Sequence, residues 1–154
     1  MIKISSVLVL VAAMFASCSN TSKIKETQKQ NQDQAQIVSV EFVGDGVIKN
    51  AEGTVSLFAV SKNIADVPAT LIMEEKIDAS KFPFMIRFEL PEKHEQLIKP
   101  AVKEGEPIKY YVSIEWDSNG DGQVGAGDIV IDYDKKFPDV VIGETTQIFV
   151  RESK

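Results

Sequence analysis

From Ile37 onward, apolar and polar residues alternate with the two-residue period that sets one face of an extended chain on a core and the other in water. Ile37–Val43 is β-branched and aromatic and stops at Gly44-Asp45-Gly46. Thr54–Val60 follows Gly53, Ala69–Ile77 follows Pro68, and Phe84–Leu90 lies between Pro83 and Pro91. Lys109–Trp116 alternates clearly. Ile129–Tyr133 and Thr146–Val150 close the set, with Val140–Ile142 as one more short strand. Glycine and proline punctuate the runs where turns are needed. No long stretch has helical spacing, and Pro91–Lys99 has room for a single helical turn or a loop. There is no internal repeat. Seven or eight short strands separated by turn signals predict an all-β domain over residues 37–154, an antiparallel β-sandwich.

The chain before Ile37 has a different composition. Met1–Ser17 reads as an export signal. Lys3 supplies positive charge, Val7–Phe15 is a short apolar run, and Ala16-Ser17 are small residues at a cleavage point. That run is too short to span a bilayer, which takes about 20 apolar residues. Phe15-Ala16-Ser17-Cys18 resembles a lipobox, the site cut by lipoprotein signal peptidase, with Phe15 where leucine is usual. Cys18 is the only cysteine, so it has no disulfide partner within the chain, and acylation accounts for it. Acyl chains contribute about 0.8 kcal/mol per buried CH₂, so two or three of them fasten a protein to a membrane. Ser19–Gln36 is almost wholly polar, with Ile24 and Ala35 its only apolar residues. Such a segment cannot bury enough surface to offset its ordering entropy. Residues 18–36 are therefore expected to be a flexible tether, with a reach of about 25 Å.

The net charge is −6, and loss of the signal with Lys3 makes it more negative. An acidic domain has no electrostatic footprint for nucleic acid and no attraction to anionic headgroups. Membrane contact is left to the lipid. The expected location is the cell envelope, at the outer membrane, on its periplasmic or surface side.

One segment carries chemistry. Asp117-Ser118-Asn119-Gly120-Asp121-Gly122-Gln123-Val124-Gly125-Ala126-Gly127-Asp128 resembles the calcium loop of EF-hands and dockerins. Ca²⁺ is a hard cation that takes six to eight oxygen ligands. Loop positions 1, 3 and 5 fall on Asp117, Asn119 and Asp121. Gly122 stands at the sharp turn of position 6, and the carbonyl of Gln123 at position 7. Val124 fits the apolar position 8, which docks the loop on its domain. Asp128 fits position 12, which closes the shell, although there a shorter aspartate replaces glutamate, as in dockerins. Gly125 at position 9 leaves a ligand to water. The flanks read as strands, so the segment is expected to be a long hairpin loop braced by a structural Ca²⁺. Three carboxylates with a ligand missing suggest an affinity of about 10⁻⁴–10⁻³ M, typical of extracellular modules. As a plain turn the segment would be oversized, because hairpins need two to five residues.

Other chemistry is sparse. His94, the only histidine, sits among charged residues and is expected to be solvated on the surface. One histidine and no spare cysteine leave no ordinary zinc site. No nucleophile elbow or phosphate-binding glycine loop is present, so the domain is expected not to be an enzyme. Trp116, Tyr110 and Tyr111 are expected to pack in the core. The alternative is that they form an exposed platform of a carbohydrate-binding or surface-attachment module.

The strand residues carry a family resemblance. Gly53–Ser61 followed by Ala65-Asp66-Val67-Pro68-Ala69-Thr70-Leu71-Ile72, then Phe82–Phe88 and Tyr110–Ile114, resemble strands of the type III secretion pilotin-like lipoproteins over roughly Val40–Val150. The resemblance implies a lipid-anchored β-sandwich that binds a protein of the envelope or assists its assembly, as a chaperone does. Ala59-Val60-Ser61 stands where that family has Asp-Val-Ser, and the calcium-type loop is an insertion relative to it.

Overall fold

Along the first strand the alternation of the sequence becomes an alternation of burial. Val38, Val40 and Phe42 have no exposed surface, while the residues between them are partly exposed. The computed structural model describes residues 36–154. The expectations for the signal, for Cys18 and for the tether up to residue 35 lie outside the described residues. Among the described residues there are eight strands: β1 (Gln36–Gly44), β2 (Glu52–Ser61), β3 (Thr70–Asp78), β4 (Phe84–Leu90), β5 (Ile108–Glu115), β6 (Ile129–Ile131), β7 (Asp139–Val140) and β8 (Thr145–Glu152). A short 3₁₀ helix covers His94–Leu97. The sixth and seventh strands are shorter than their apolar runs suggested.

The strands form two four-stranded sheets, in the orders β4-β1-β8-β6 and β3-β2-β5-β7. The second sheet is antiparallel throughout. The first is not. β1 runs parallel to β8, with Ser39 opposite Thr145 and Gly44 opposite Val150, which corrects the expectation of a wholly antiparallel sandwich. These two strands lie at opposite ends of the described chain, so no hairpin imposes an antiparallel arrangement on them.

The core lies between the sheets. Val38, Val40 and Phe42 of β1 and Phe88 of β4 join Val55, Leu57 and Ala59 of β2 and Val112 of β5 in one cluster. Burying each large apolar side chain of this kind is worth about 1.5–3 kcal/mol. The strand β3 departs from simple alternation, burying Ile72 and Ile77, five residues apart, while Glu74 and Lys76 are exposed. A register shift opposite Leu57 and Phe58 explains this. One extra residue in a bulge swaps the face on which later side chains fall. β3 is also an edge strand, and its exposed Glu74, Lys76 and Asp78 discourage pairing with another chain.

His94 is buried at 1% exposure, not solvated as its charged neighbours suggested. Its Nδ1 lies 3.0 Å from the Pro91 carbonyl oxygen and its Nε2 lies 2.8 Å from the Tyr110 hydroxyl. The carbonyl can only accept, so Nδ1 donates and the Tyr110 hydroxyl donates to Nε2. The pair fastens the 91–98 segment to β5. Burial, helped by the charge of Glu95, pushes the Tyr110 phenol up to about 12. Because the fold favours the neutral phenol, this contribution to stability is intact below the ordinary tyrosine range and is lost as pH rises through about 12. The tyrosinate absorbance of the native protein should therefore contain a step near pH 12 that Tyr110→Phe removes. If Tyr110→Phe removes amplitude only around pH 10, the buried pair is wrongly described.

Candidate metal centre

The acidic loop begins where β5 runs into the core. Trp116, just past the end of β5, is 1% exposed and sets its ring edge-on to Phe84 at 5.8 Å. Gly53 lies directly against it, and a Cβ at residue 53 would stand 2.6 Å from the indole Cδ1. The indole Nε1 donates to the Asn50 carbonyl at 2.9 Å. Asn50 returns a bond from its Nδ2 to the Asp117 carbonyl at 3.0 Å. The backbone N–H groups of Lys49 and Asn50 both donate to the Ser118 carbonyl, at 2.8 and 3.1 Å. The mouth of the loop is thus bound to the segment between β1 and β2. Sequence pattern gave no sign of this, because Lys49 and Asn50 look like ordinary turn residues.

The loop joins β5 of one sheet to β6 of the other. It is a crossing between sheets, which corrects the expected hairpin. Inside it, carboxylate and amide oxygens gather the backbone. Asp117 accepts through Oδ1 from the N–H groups of Gly120 (2.9 Å) and Asp121 (3.1 Å), and through Oδ2 from that of Gly122 (2.9 Å). Asn119 Oδ1 accepts from the Asp121 N–H at 2.8 Å, and Asp121 Oδ1 from the Gln123 N–H at 2.9 Å. Gly120 and Gly122 have φ of 73° and 89°, the left-handed region in which other residues are strained. These turns point the N–H groups inward and leave Asp121 on the exposed side.

The expected ligands fall into two groups. Asp117, Asn119 and Asp121 are brought together. Asn119 Nδ2 donates to Asp121 Oδ2 at 3.1 Å and to the Ala126 carbonyl at 3.2 Å. Gln123 follows directly in the exposed part of the loop. Asp128 is different, being fully buried. Its Oδ1 accepts from the Asn119 N–H at 3.0 Å and from the Ser118 hydroxyl at 3.4 Å, and its Oδ2 from the Gly125 N–H at 2.7 Å. Burial disfavours the Asp128 carboxylate, but these donors outweigh it and hold its pKa below the usual aspartate value. Val124 does not dock on the domain as its loop position suggested, because it is 56% exposed.

The donors here are oxygens, the type a hard cation takes. Among the described residues no three His, Cys, Asp or Glu side chains form a metal cluster of their own. A cation at Asp117 and Asp121 would therefore need the Asn119 amide oxygen, the Gln123 carbonyl and water to complete its shell. A cleft of about 410 Å³ borders Asn119 and Asp121, with Val47, Lys49, Gly127 and Glu152 on its other sides, so water and ions reach this side of the loop. The exposed aromatic platform is not formed. Trp116 and Tyr110 are core residues, whereas Tyr111, also expected in the core, is only partly buried and stacks on the partly buried Phe58 at 5.5 Å.

No family model matches the chain, and no curated protein matches it. A similar solved structure is described as an alternative pilotin from the type II secretion system of Vibrio cholerae, with 12% identity over 77% of this chain and 97% of that one and a TM-score of 0.48. That likeness is too slight to carry an argument about this chain.

Gly53→Ala should push the Trp116 ring off its seat and break its bond to Asn50. The expected cost is about 1–3 kcal/mol, the usual range for overpacking, read from urea denaturation. Wild-type stability in this variant would show that the tryptophan does not fix the mouth of the loop.

Proposed function

We propose that this chain is a lipid-anchored, non-enzymatic β-sandwich of the bacterial cell envelope, braced by a structural calcium ion and acting on an envelope protein as an assembly or chaperone-like factor. The observation that carries the calcium reading is the arrangement of Asp117, Asn119 and Asp121. Their side-chain oxygens each accept a hydrogen bond within the loop, a carboxylate has acceptor sites beyond these, and Asn119 and Asp121 border an open cleft. Side chains of Asp117, Asn119 and Asp121 and the carbonyl of Gln123 would hold the ion, and water would complete the shell. Bound there, a divalent cation supplies positive charge between acidic side chains that otherwise repel one another. The residues hold the loop rigid while the chain passes from one sheet to the other. The anchor is assigned to Cys18 on the lipobox-like Phe15-Ala16-Ser17-Cys18. The protein-binding, pilotin-like role rests on the strand resemblance of Gly53–Ser61, Ala65–Ile72, Phe82–Phe88 and Tyr110–Ile114.

Two measurements test this reading. Saturation at tenfold above a dissociation constant stabilises a fold by about 1.4 kcal/mol. That corresponds to a rise of about 5 °C in melting temperature for a domain near this size. Millimolar calcium should raise the melting temperature of the protein by that amount over a chelated sample, and Asp121→Ala should remove most of the rise. Identical melting curves with calcium and with chelator would count against the ion. For the anchor, Cys18→Ala expressed in a lipoprotein-processing bacterium should move from the membrane fraction to the soluble fraction. Retention with the membranes would refute lipidation at this residue.

A further inference from the structure

The acidic residue that closes the loop is also its most deeply buried. Asp128 and Ser118 each have no exposed surface, and they stand at opposite ends of the loop. The Ser118 hydroxyl accepts from the Ile129 N–H at 2.7 Å and donates to Asp128 Oδ1. Asp128 in turn holds the N–H groups of Asn119 and Gly125. Its backbone is held as well. The Ser153 N–H donates to the Asp128 carbonyl at 2.7 Å, and the Gly127 N–H donates to the Ser153 carbonyl at 3.0 Å. Three donors therefore occupy the carboxylate, water is excluded from it, and the C-terminal end of β8 pins it from behind. Asp117 also accepts three N–H groups, but it is only partly buried, whereas Asp128 has no exposed surface through which an ion could reach its remaining acceptor site.

We infer that Asp128 and Ser118 are a positioning pair, a metal-independent clasp that closes the loop and presents Asp117, Asn119 and Asp121, and that Asp128 is not itself a calcium ligand. The statement about calcium rests on the proposed function, whereas the clasp does not. A carboxylate held by backbone donors in a dry site makes strong bonds, and it does so with or without a cation. The closed loop is then prepared for an ion before one arrives. Calcium affinity depends on the clasp through the population of closed loop, not through a bond to the metal.

The test compares Asp128→Ala, Ser118→Ala and Asp121→Ala in the full mature protein. Melting is followed in chelator, and calcium alone is titrated by calorimetry. Ser118→Ala is the decisive variant, since a serine outside the ligand positions has no direct bond to lose. The clasp predicts that Asp128→Ala and Ser118→Ala each lower the melting temperature in chelator by about 5 °C, as expected when a backbone N–H loses its acceptor, those of Asn119 and Gly125 in the first and that of Ile129 in the second. It also predicts that both weaken calcium binding by about tenfold, as the loss of outer-shell support does. Asp121→Ala should lower the melting temperature in chelator less than either clasp variant, because the partners it releases are open to water, and should lose calcium binding. Amide exchange at Asn119 and Gly125 should accelerate in Asp128→Ala, which a general loss of packing would not confine to those two residues. The inference is overturned if Asp128→Ala melts like wild type in chelator and loses calcium while Ser118→Ala binds it normally. If wild type binds no calcium at all yet both clasp variants still lose stability, the calcium reading falls and the clasp stands.

Discussion

The chain leaves one sheet at Glu115 and enters the other at Ile129, and the rest of the site follows from that constraint. A crossing between two sheets has no ladder to receive its backbone groups, and buried N–H groups without partners are costly. The molecule meets this need from within the crossing and from its surroundings. Asp117, Asn119, Asp121 and Asp128 accept the N–H groups of the loop. Lys49, Asn50 and Ser153 bind its two ends. The acidic residues are first of all the hydrogen-bond acceptors of a segment that secondary structure cannot serve.

Two kinds of acid have been sorted along this segment by burial. Asp128 is buried within the loop with its donors, where a carboxylate tolerates desolvation only because its oxygens are occupied. Asp121 faces solvent and can exchange partners freely. The same letter in the sequence therefore does different physical work at the two ends of the loop. A consensus of metal-binding positions treats these residues alike, while burial separates them.

Much of the fold was legible before any coordinates. Strict alternation in Ile37–Val43, Thr54–Val60 and Phe84–Leu90 is a local property, and the corresponding strands lie where the pattern put them. The features that were not legible depend on partners distant in the chain. The parallel pairing of β1 with β8 joins residues more than a hundred positions apart. The sheet to which β6 belongs decides whether the loop is a hairpin or a crossing, and nothing near Ile129 encodes it. His94 was misread because its neighbours Lys93 and Glu95 are charged. A short 3₁₀ turn directs those two outward and the imidazole onto Tyr110, a geometry that composition cannot reveal. In the loop, Asp117, Asn119 and Asp121 are linked by hydrogen bonds, whereas the burial of Ser118 and Asp128 left no trace in their letters.

The mouth of the loop shows why its place in the fold matters more than its consensus. Trp116 is at once a core residue, the ceiling over Gly53 and the donor that holds Asn50. Asn50 holds Asp117, and Asp117 holds the first turn of the loop. Order in the core therefore passes through three side chains to the acidic turn with no flexible link between them. A turn held in this way loses little further conformational freedom on taking up a cation, and the entropy that an isolated acidic peptide would have to lose has already been spent in folding. Under the proposed function, that support is what would let four oxygen positions and water serve as a donor set, where the same residues on an unsupported hairpin would have to be ordered first.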